Sequence, residues 1–494
     1  MDLYTFLDPY AFFIMLMTVL VLYTQWFEYP ISNVKPLPGP RTWSILGNLP
    51  QLIAARFDIN DFHERLRKMY GAVVGYRIYH HNVVVINDLK LVREVANHPD
   101  FCGRMRSKLH ANLSKEPNVG ILTSYGHTWK EHHDVLSGFV TALSKSKQLE
   151  DICTIEATKF IKVLTDQTDK DLIIHHYSVQ TLAVIFCQVI FGKVLDVNDD
   201  IVKEVVDIVM ERQRESASAT RRLLPSYVNN LTGSGAKRRH QLNVQFVALV
   251  KTLVGDHTKQ TEILIPCFVR RYWDERHEKL QSMEDGSMTS LTSDNLLWAC
   301  IDLVTVCVDE ASLLLTQSLL LLASHPEVQS KLKEDICPKA REQDDQEPSA
   351  YLAAVQLETQ RLAPDNPWST SLMALSDVKL ADFEILQDAV VVANWRYLRQ
   401  GDDQDWDEPT QFQPGRFLGE DGSLVEHPQM ISFPAGKRAC PADAMSSSAS
   451  SMLIRHICQR FKLSLPAQTT HPCDKNGLIQ RSSLFKTKLR IVPH

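Results

Sequence analysis

FPAGKRACPADAM, residues 433–445, sets one cysteine between two basic residues and a run of small ones. Two readings compete for Cys440. A free cysteine usually behaves as a small buried hydrophobe, but one in a preformed loop can be a metal ligand. The flanking residues favour the second. Gly436 permits a tight turn, and Pro441 suits the first turn of a helix running from 441 to about 460. Cys440 then lies at the positive end of that helix, where thiolate is favoured over thiol.

Upstream, LETQR places Glu358 and Arg361 at i and i+3, on one helix face, and PGRF brings in Arg416. The bidentate fork of an arginine suits a buried carboxylate, so these three form a candidate structural ion pair. Further upstream, SDNLLWACIDLVTVCVDEASLLLTQSLLLLASHPEVQ opens with Ser293 as N-cap candidate and closes before Pro326. That predicts a helix of about thirty residues, apolar nearly all round and so central in the body. Charged residues inside it are costly, so Asp302, Asp309 and Glu310 either face a cavity or are paired.

The first part of the chain is organised differently. Between Asp8 and Glu28 lies PYAFFIMLMTVLVLYTQWF, without a charge and close to the roughly 20 residues that cross a bilayer. No basic segment precedes it and no small-residue cleavage site follows, so it reads as an uncleaved single-pass anchor over residues 1–30. Asp2 and Asp8 lie before it and Lys35 and Arg41 after it, which places the body on the cytosolic side. Sequons at Asn112 and Asn230 then stay clear of glycosylation. Residues 31–50, with Pro36, Pro38 and Pro40, form a stiff proline-rich hinge. A short helix at about 59–70 leads into VVGYRIYH and NVVVIND, which read as a hairpin. Strands are expected to end there, since residues 88 to 340 read as mostly helical, interrupted at 103–120, 215–240 and 281–290.

At 494 residues and 44% hydrophobic residues, the chain can bury a large core. The net charge of -6, from 53 basic and 59 acidic residues, and the lack of a long basic block argue against a nucleic-acid partner. The ten cysteines are scattered, with neither a CxxC pair nor zinc spacing, as in a protein whose thiols stay reduced in the cytosol.

A haem iron bound through thiolate needs its cysteine shielded from water, with the charge moderated by N–H donors. Phe433 can shield the sulfur, and Arg438 offers a cation to a propionate. The stretch FPAGKRACPA resembles the cysteine loop Phe-x-x-Gly-x-Arg-x-Cys-x-Gly of the cytochrome P450 haem-thiolate enzymes, with Ala442 for the last glycine. Glu358, Arg361 and Arg416 match that family's ExxR pair and its completing arginine. The resemblance extends through PLPGP, ILGNL, GHTWKE, HPEVQSKLKEDI and DWDEPTQFQPGRFL, in the order of a membrane-anchored, eukaryotic microsomal member. It implies a mainly α P450 fold over 51–494, a large helical domain with a smaller β-rich region, behind a single N-terminal transmembrane helix.

It also implies haem b (iron protoporphyrin IX) as cofactor, with Cys440 as the iron's metal ligand. Phe433, Gly436, Arg438, Trp129 and His133 are then the cofactor-binding residues. The implied partners are NADPH–cytochrome P450 reductase, a lipophilic small-molecule substrate, membrane lipid of the endoplasmic reticulum and cytochrome b5. Substrate contacts fall on 103–120, on Val306 and Asp309, and on 366–373.

The departures from the family pattern carry information too. Its oxygen-activating Ala-Gly-x-Asp/Glu-Thr falls on Val306-Cys307-Val308-Asp309-Glu310. Asp309 keeps the acid, and Glu310 replaces the alcohol with a group that donates a proton if burial keeps it neutral. These two are the catalytic candidates. His133 stands where the family has arginine, Leu372 stands where a histidine or arginine often reaches a propionate, and the segment before LETQR is shorter. The leading expectation is a monooxygenase that inserts one oxygen atom from dioxygen into a lipophilic molecule. The altered helix keeps two alternatives open, a haem-thiolate isomerase or dehydratase acting on peroxides and a catalytically degenerate haem-binding protein.

Overall fold

The computed structural model describes residues 37–494 except 44–45, 56–57, 106–107, 217–234, 258–265, 283–287, 338–348, 364–370, 402–403, 405, 431–435 and 468–483. Of residues 1–36 it describes 15, 17 and 18. Most of the expected anchor, Pro36, Phe433, Asn230 and most of 366–373 therefore lie outside the described residues. The chain divides into two compact units, Met1–Cys102 with Pro367–Asn394, and Gly103–Asn366 with Trp395–His494.

The first unit is built on the expected hairpin. Val73–Ile78 and His81–Ile86 pair antiparallel, with Val73 opposite Ile86. Asp58 caps the preceding helix, Ile59–Tyr70, by accepting from the N–H groups of Asn60 and Asp61 at 3.0 and 3.1 Å. The hinge runs along this hairpin: Gly75 N–H donates to the Pro38 carbonyl at 2.8 Å. Strands do not end there, contrary to the sequence expectation. Val390–Ala393 adds in parallel to His81–Ile86, and Leu372–Met373 pairs antiparallel to it. A second hairpin joins Val378–Leu380 to Phe383–Ile385. These segments are two to four residues long, too short for period-2 alternation to show. The run VVVA is buried or half-buried throughout, so it carries no polar face to mark it as a strand.

The second unit is helical around one long core helix, Ser293–Ser324, 32 residues long. Its cap is Thr292, whose hydroxyl accepts from Asn295 N–H at 3.2 Å, one residue before the expected Ser293. Pro326 opens the next helix, Pro326–Ile336, where its missing N–H costs nothing. Helix Ile174–Phe191 is also apolar nearly all round and packs against the central helix. Both are long and apolar enough to cross a membrane, but 83% and 78% of their most apolar windows are buried in the protein, so they are core helices. Asp171–Leu172, Leu489–Pro493 and Phe461–Ser464 form a small antiparallel sheet in this unit. Helix Asp443–Arg460 begins two residues later than Pro441, which lies in the turn ahead of it.

Candidate haem-binding site

The cysteine loop is shaped by Gly436, whose φ of 84° lies in the left-handed region that favours glycine. One 3-10 turn, Gly436–Arg438, follows it. Cys440 comes next, half-buried, ahead of a helix whose N-cap residue, Ala442, supplies no side-chain cap. Burial pushes the Cys440 thiol up to about 11, while the Ala442 backbone N–H and the Arg104 charge pull it down. A desolvated thiol facing N–H donors becomes thiolate once a cation lies against it.

Arg438 is 6% exposed. Its Nη1 donates to the Ser124 carbonyl at 2.7 Å and its Nη2 to that of Leu122 at 3.1 Å. The guanidinium carbon sits 4.6 Å from the ring centroid of Trp129. One turn along the same helix, Gly126–Lys145, the ring of His133 lies against that of Trp129, with centroids 4.8 Å apart and the planes tilted by 40°. Burial lowers the His133 pKa, opposed by Asp134 and by the Ala439 backbone, which brings the imidazole to the cysteine loop. The opposite face anchors that helix. Glu131 accepts from Lys279 Nζ at 3.0 Å and Ser290 N–H at 2.7 Å, and His132 Nε2 lies 3.0 Å from the Tyr272 hydroxyl. Trp129, His133, Arg438 and Cys440 thus converge, and Arg104, 9% exposed, adds a second cation that the thiol feels.

The central helix supplies the facing surface. From Trp298 to Ala323 every residue is buried except Val306, Asp309 and Glu310, which stand at i, i+3 and i+4 and form one stripe. The charge of Glu310 reaches Cys440. Glu310 is exposed along this stripe, not desolvated inside the helix. Cys307 is buried beside it, its thiol pushed far up by burial and by Cys440, with Ser446 pulling the other way.

Asp302 is paired. Its Oδ2 accepts from the N–H groups of Ile121 and Leu122, each at 2.9 Å, and its Oδ1 lies 3.1 Å from His110 Nε2. Gly120, at φ +72°, has no room for a side chain: a Cβ there would meet Asp302 Oδ2 at 2.4 Å. The loop 120–124 therefore gives N–H groups to the central helix and carbonyls to Arg438, tying the two together.

Glu358 and Arg361 are fully buried, with Oε2–Nε at 2.7 Å and Oε1–Nη2 at 2.9 Å, and Arg416 Nε reaches the same Oε1 at 3.0 Å. Trp406 lies under both guanidinium groups, 5.0 Å and 5.9 Å from its centroid. Leu372 is half-buried in a strand of the other unit.

The Cytochrome P450 family model matches residues 37–489. The chain belongs to the cytochrome P450 family. Cytochrome P450 2D1 of Rattus norvegicus is 26% identical over 449 residues, 88% of each chain. Farnesoate epoxidase of Bombyx mori is 24% identical over 470 residues, 92% of this chain and 93% of its own. Cytochrome P450 2U1 of Bos taurus is 24% identical over 497 residues, 93% and 90% of the two chains.

This P450 is accordingly an oxidoreductase of the monooxygenase kind, with haem b as its cofactor. Its own residues fit that group. The half-buried Cys440 lies within reach of the charge of Glu310 on the uncovered stripe of the core helix, and a buried guanidinium, an indole and an imidazole stand at the same loop. Sequence reasoning assigned His110, Gly120 and Arg104 to substrate contact as part of 103–120 and missed their roles at Asp302 and Cys440. The signal for the first two was Asp302, an acid in an apolar helix that demanded partners.

Proposed function

We propose that this P450 takes two electrons from NADPH through NADPH–cytochrome P450 reductase and, with two protons, converts a lipophilic substrate and dioxygen to hydroxylated or epoxidised product and water. The observation that supports this reading is the stripe Val306, Asp309 and Glu310, uncovered on an otherwise buried helix, with the charge of Glu310 felt at Cys440. Bound haem supplies the oxidising chemistry. Cys440 holds it as thiolate, with the Ala442 N–H moderating the charge. Arg438, Trp129 and His133 would help to hold it, and loop 120–124 fixes Arg438 for that task. Asp309 and Glu310 would relay protons through their carboxyl oxygens at the uncovered stripe, in place of the acid and alcohol of the family pattern. Val306 and Cys307 fill the space that smaller residues leave there.

Residues 1–30 anchor the chain in the endoplasmic reticulum membrane, with the body in the cytosol and cytochrome b5 as an additional electron donor. The substrate is lipophilic, and the name of the Bombyx mori relative makes farnesoate the first compound of a panel to test. Expression with the reductase, followed by product, NADPH and hydrogen peroxide measurements, tests the reading. Glu310→Gln is expected to keep NADPH consumption while product falls about tenfold and peroxide rises, and Glu310→Thr to keep coupling. Product from hydroperoxides alone, with none from NADPH and oxygen, overturns it in favour of the isomerase or dehydratase reading.

A further inference from the structure

The side of the central helix next to the uncovered stripe carries buried polar groups with no part in holding the haem. Ser312, Thr316, His175 and Gln213 are each 0% exposed. Gln213, on helix Asp200–Ser216, donates from Nε2 to Ser312 Oγ at 3.0 Å and to the Asp309 carbonyl at 3.4 Å. Its Oε1 lies 2.7 Å from Nε2 of His175, in the first turn of helix Ile174–Phe191. The other ring nitrogen, Nδ1, lies 3.0 Å from the Thr316 hydroxyl. Ser312 Oγ also donates to the Asp309 carbonyl, at 3.0 Å.

One sequence of donors satisfies every link: Thr316 to His175, His175 to Gln213, Gln213 to Ser312 and Asp309, Ser312 to Asp309. Both ends of this chain are on the central helix, at positions 309 and 316, two turns apart on one face. It is a bracket. Its inner end delivers two side-chain donors to the carbonyl of Asp309, where they compete with the helix's own N–H ladder.

We infer that Gln213 and His175 are positioning residues that set the backbone of the Asp309–Glu310 turn, and so the aim of its two carboxyl groups, from two neighbouring helices. This rests on the proton-passing reading of Asp309 and Glu310. A set of core polar groups that only satisfied one another would stabilise the fold without touching proton delivery.

The haem-loaded full chain with reductase tests this by two readouts, neither of which needs a known substrate. The first is amide hydrogen exchange over residues 306–316. The second is the solvent deuterium isotope effect on NADPH oxidation. Gln213→Leu keeps the volume and removes the hydrogen bonds, and is expected to speed exchange in 306–316 about fivefold. It is also expected to shift the isotope effect in the same direction as Asp309→Asn, with the double variant no further shifted than Asp309→Asn alone. Thr316→Val, which removes only the outer link, should give a smaller shift of the same sign, and it serves if Gln213→Leu fails to take up haem.

Unchanged exchange, an unchanged isotope effect or additive shifts overturn the inference. If Asp309→Asn and Glu310→Gln themselves leave the isotope effect unchanged, the acid-pair reading fails and this one falls with it. If those two shift it and Gln213→Leu does not, only the bracket is wrong.

Discussion

Cys440 and Glu358 show how differently a buried charge is handled in one unit. Glu358 is surrounded by fixed cations, two nitrogens of Arg361 and one of Arg416, with Gln413 N–H at 2.9 Å as well. Taking the carboxylate away leaves two guanidinium groups buried against Trp406 without their counter-charge. Glu358→Ala is expected to cost about 3–5 kcal/mol, read as a fall in denaturation midpoint, while Glu358→Gln keeps part of the hydrogen bonding and loses less. Equal effects would mean that charge is not what the site needs. Cys440 is the reverse case, a thiol that burial keeps protonated until a cation arrives. Cys440→Ser is expected to abolish the reduced carbon-monoxide difference band of a haem thiolate, because an alcohol is a poor iron ligand near neutral pH. Both groups were legible in the sequence because each sits in a short motif whose spacing is local. Arg104, His110 and Gly120 were not, since their roles depend on partners far along the chain.

Among the helices, Gly126–Lys145 and the central helix position the site, and each is held by an acid. Glu131 pins the first: burial would raise its pKa, but hydrogen bonds from Ser290 and Lys279 outweigh that and hold it at about 2, below the ordinary 4.5. A depressed carboxyl contributes stability that is present above its ordinary pKa and is lost as pH falls from there through the folded value. The advantage of the parent over Glu131→Gln in thermal melting should therefore be full at neutral pH and shrink between pH 4.5 and about 2. Parallel melting curves across that range would falsify the assignment. Asp302 pins the second through Gly120, where a side chain meets both an unfavourable φ and the carboxylate. Gly120→Ala is expected to cost about 1–3 kcal/mol and to loosen Arg438, read as weaker haem retention during dilution. The paired acid is thus an element-to-loop fastening, which the sequence could flag only as a charge in need of a partner.

Across the entire chain, legibility followed the length of the repeating pattern. The 32-residue core helix and the early hairpin declare themselves over many residues, so their type was readable to within a residue or two at the ends. The later strands, a few residues each, gain their identity only from the strands they pair with. The N-terminal stretch has the clearest pattern of all, 19 uncharged residues from Pro9 to Phe27, which as a helix spans about 28 Å against a hydrocarbon core of about 30 Å. The two apolar helices inside the body cannot substitute for it, since their apolar faces are already covered by protein. Removing residues 1–30 is therefore expected to move the protein from the pellet to the supernatant of an alkaline carbonate wash, while the full chain stays with the membrane. The exposed sequon at Asn112 adds a topology reading to the same experiment. With the body in the cytosol, endoglycosidase treatment leaves the full chain's mobility unchanged. A mobility shift puts the body in the lumen, out of reach of a cytosolic reductase, and equal pelleting of both chains means that the body holds the membrane through some other surface.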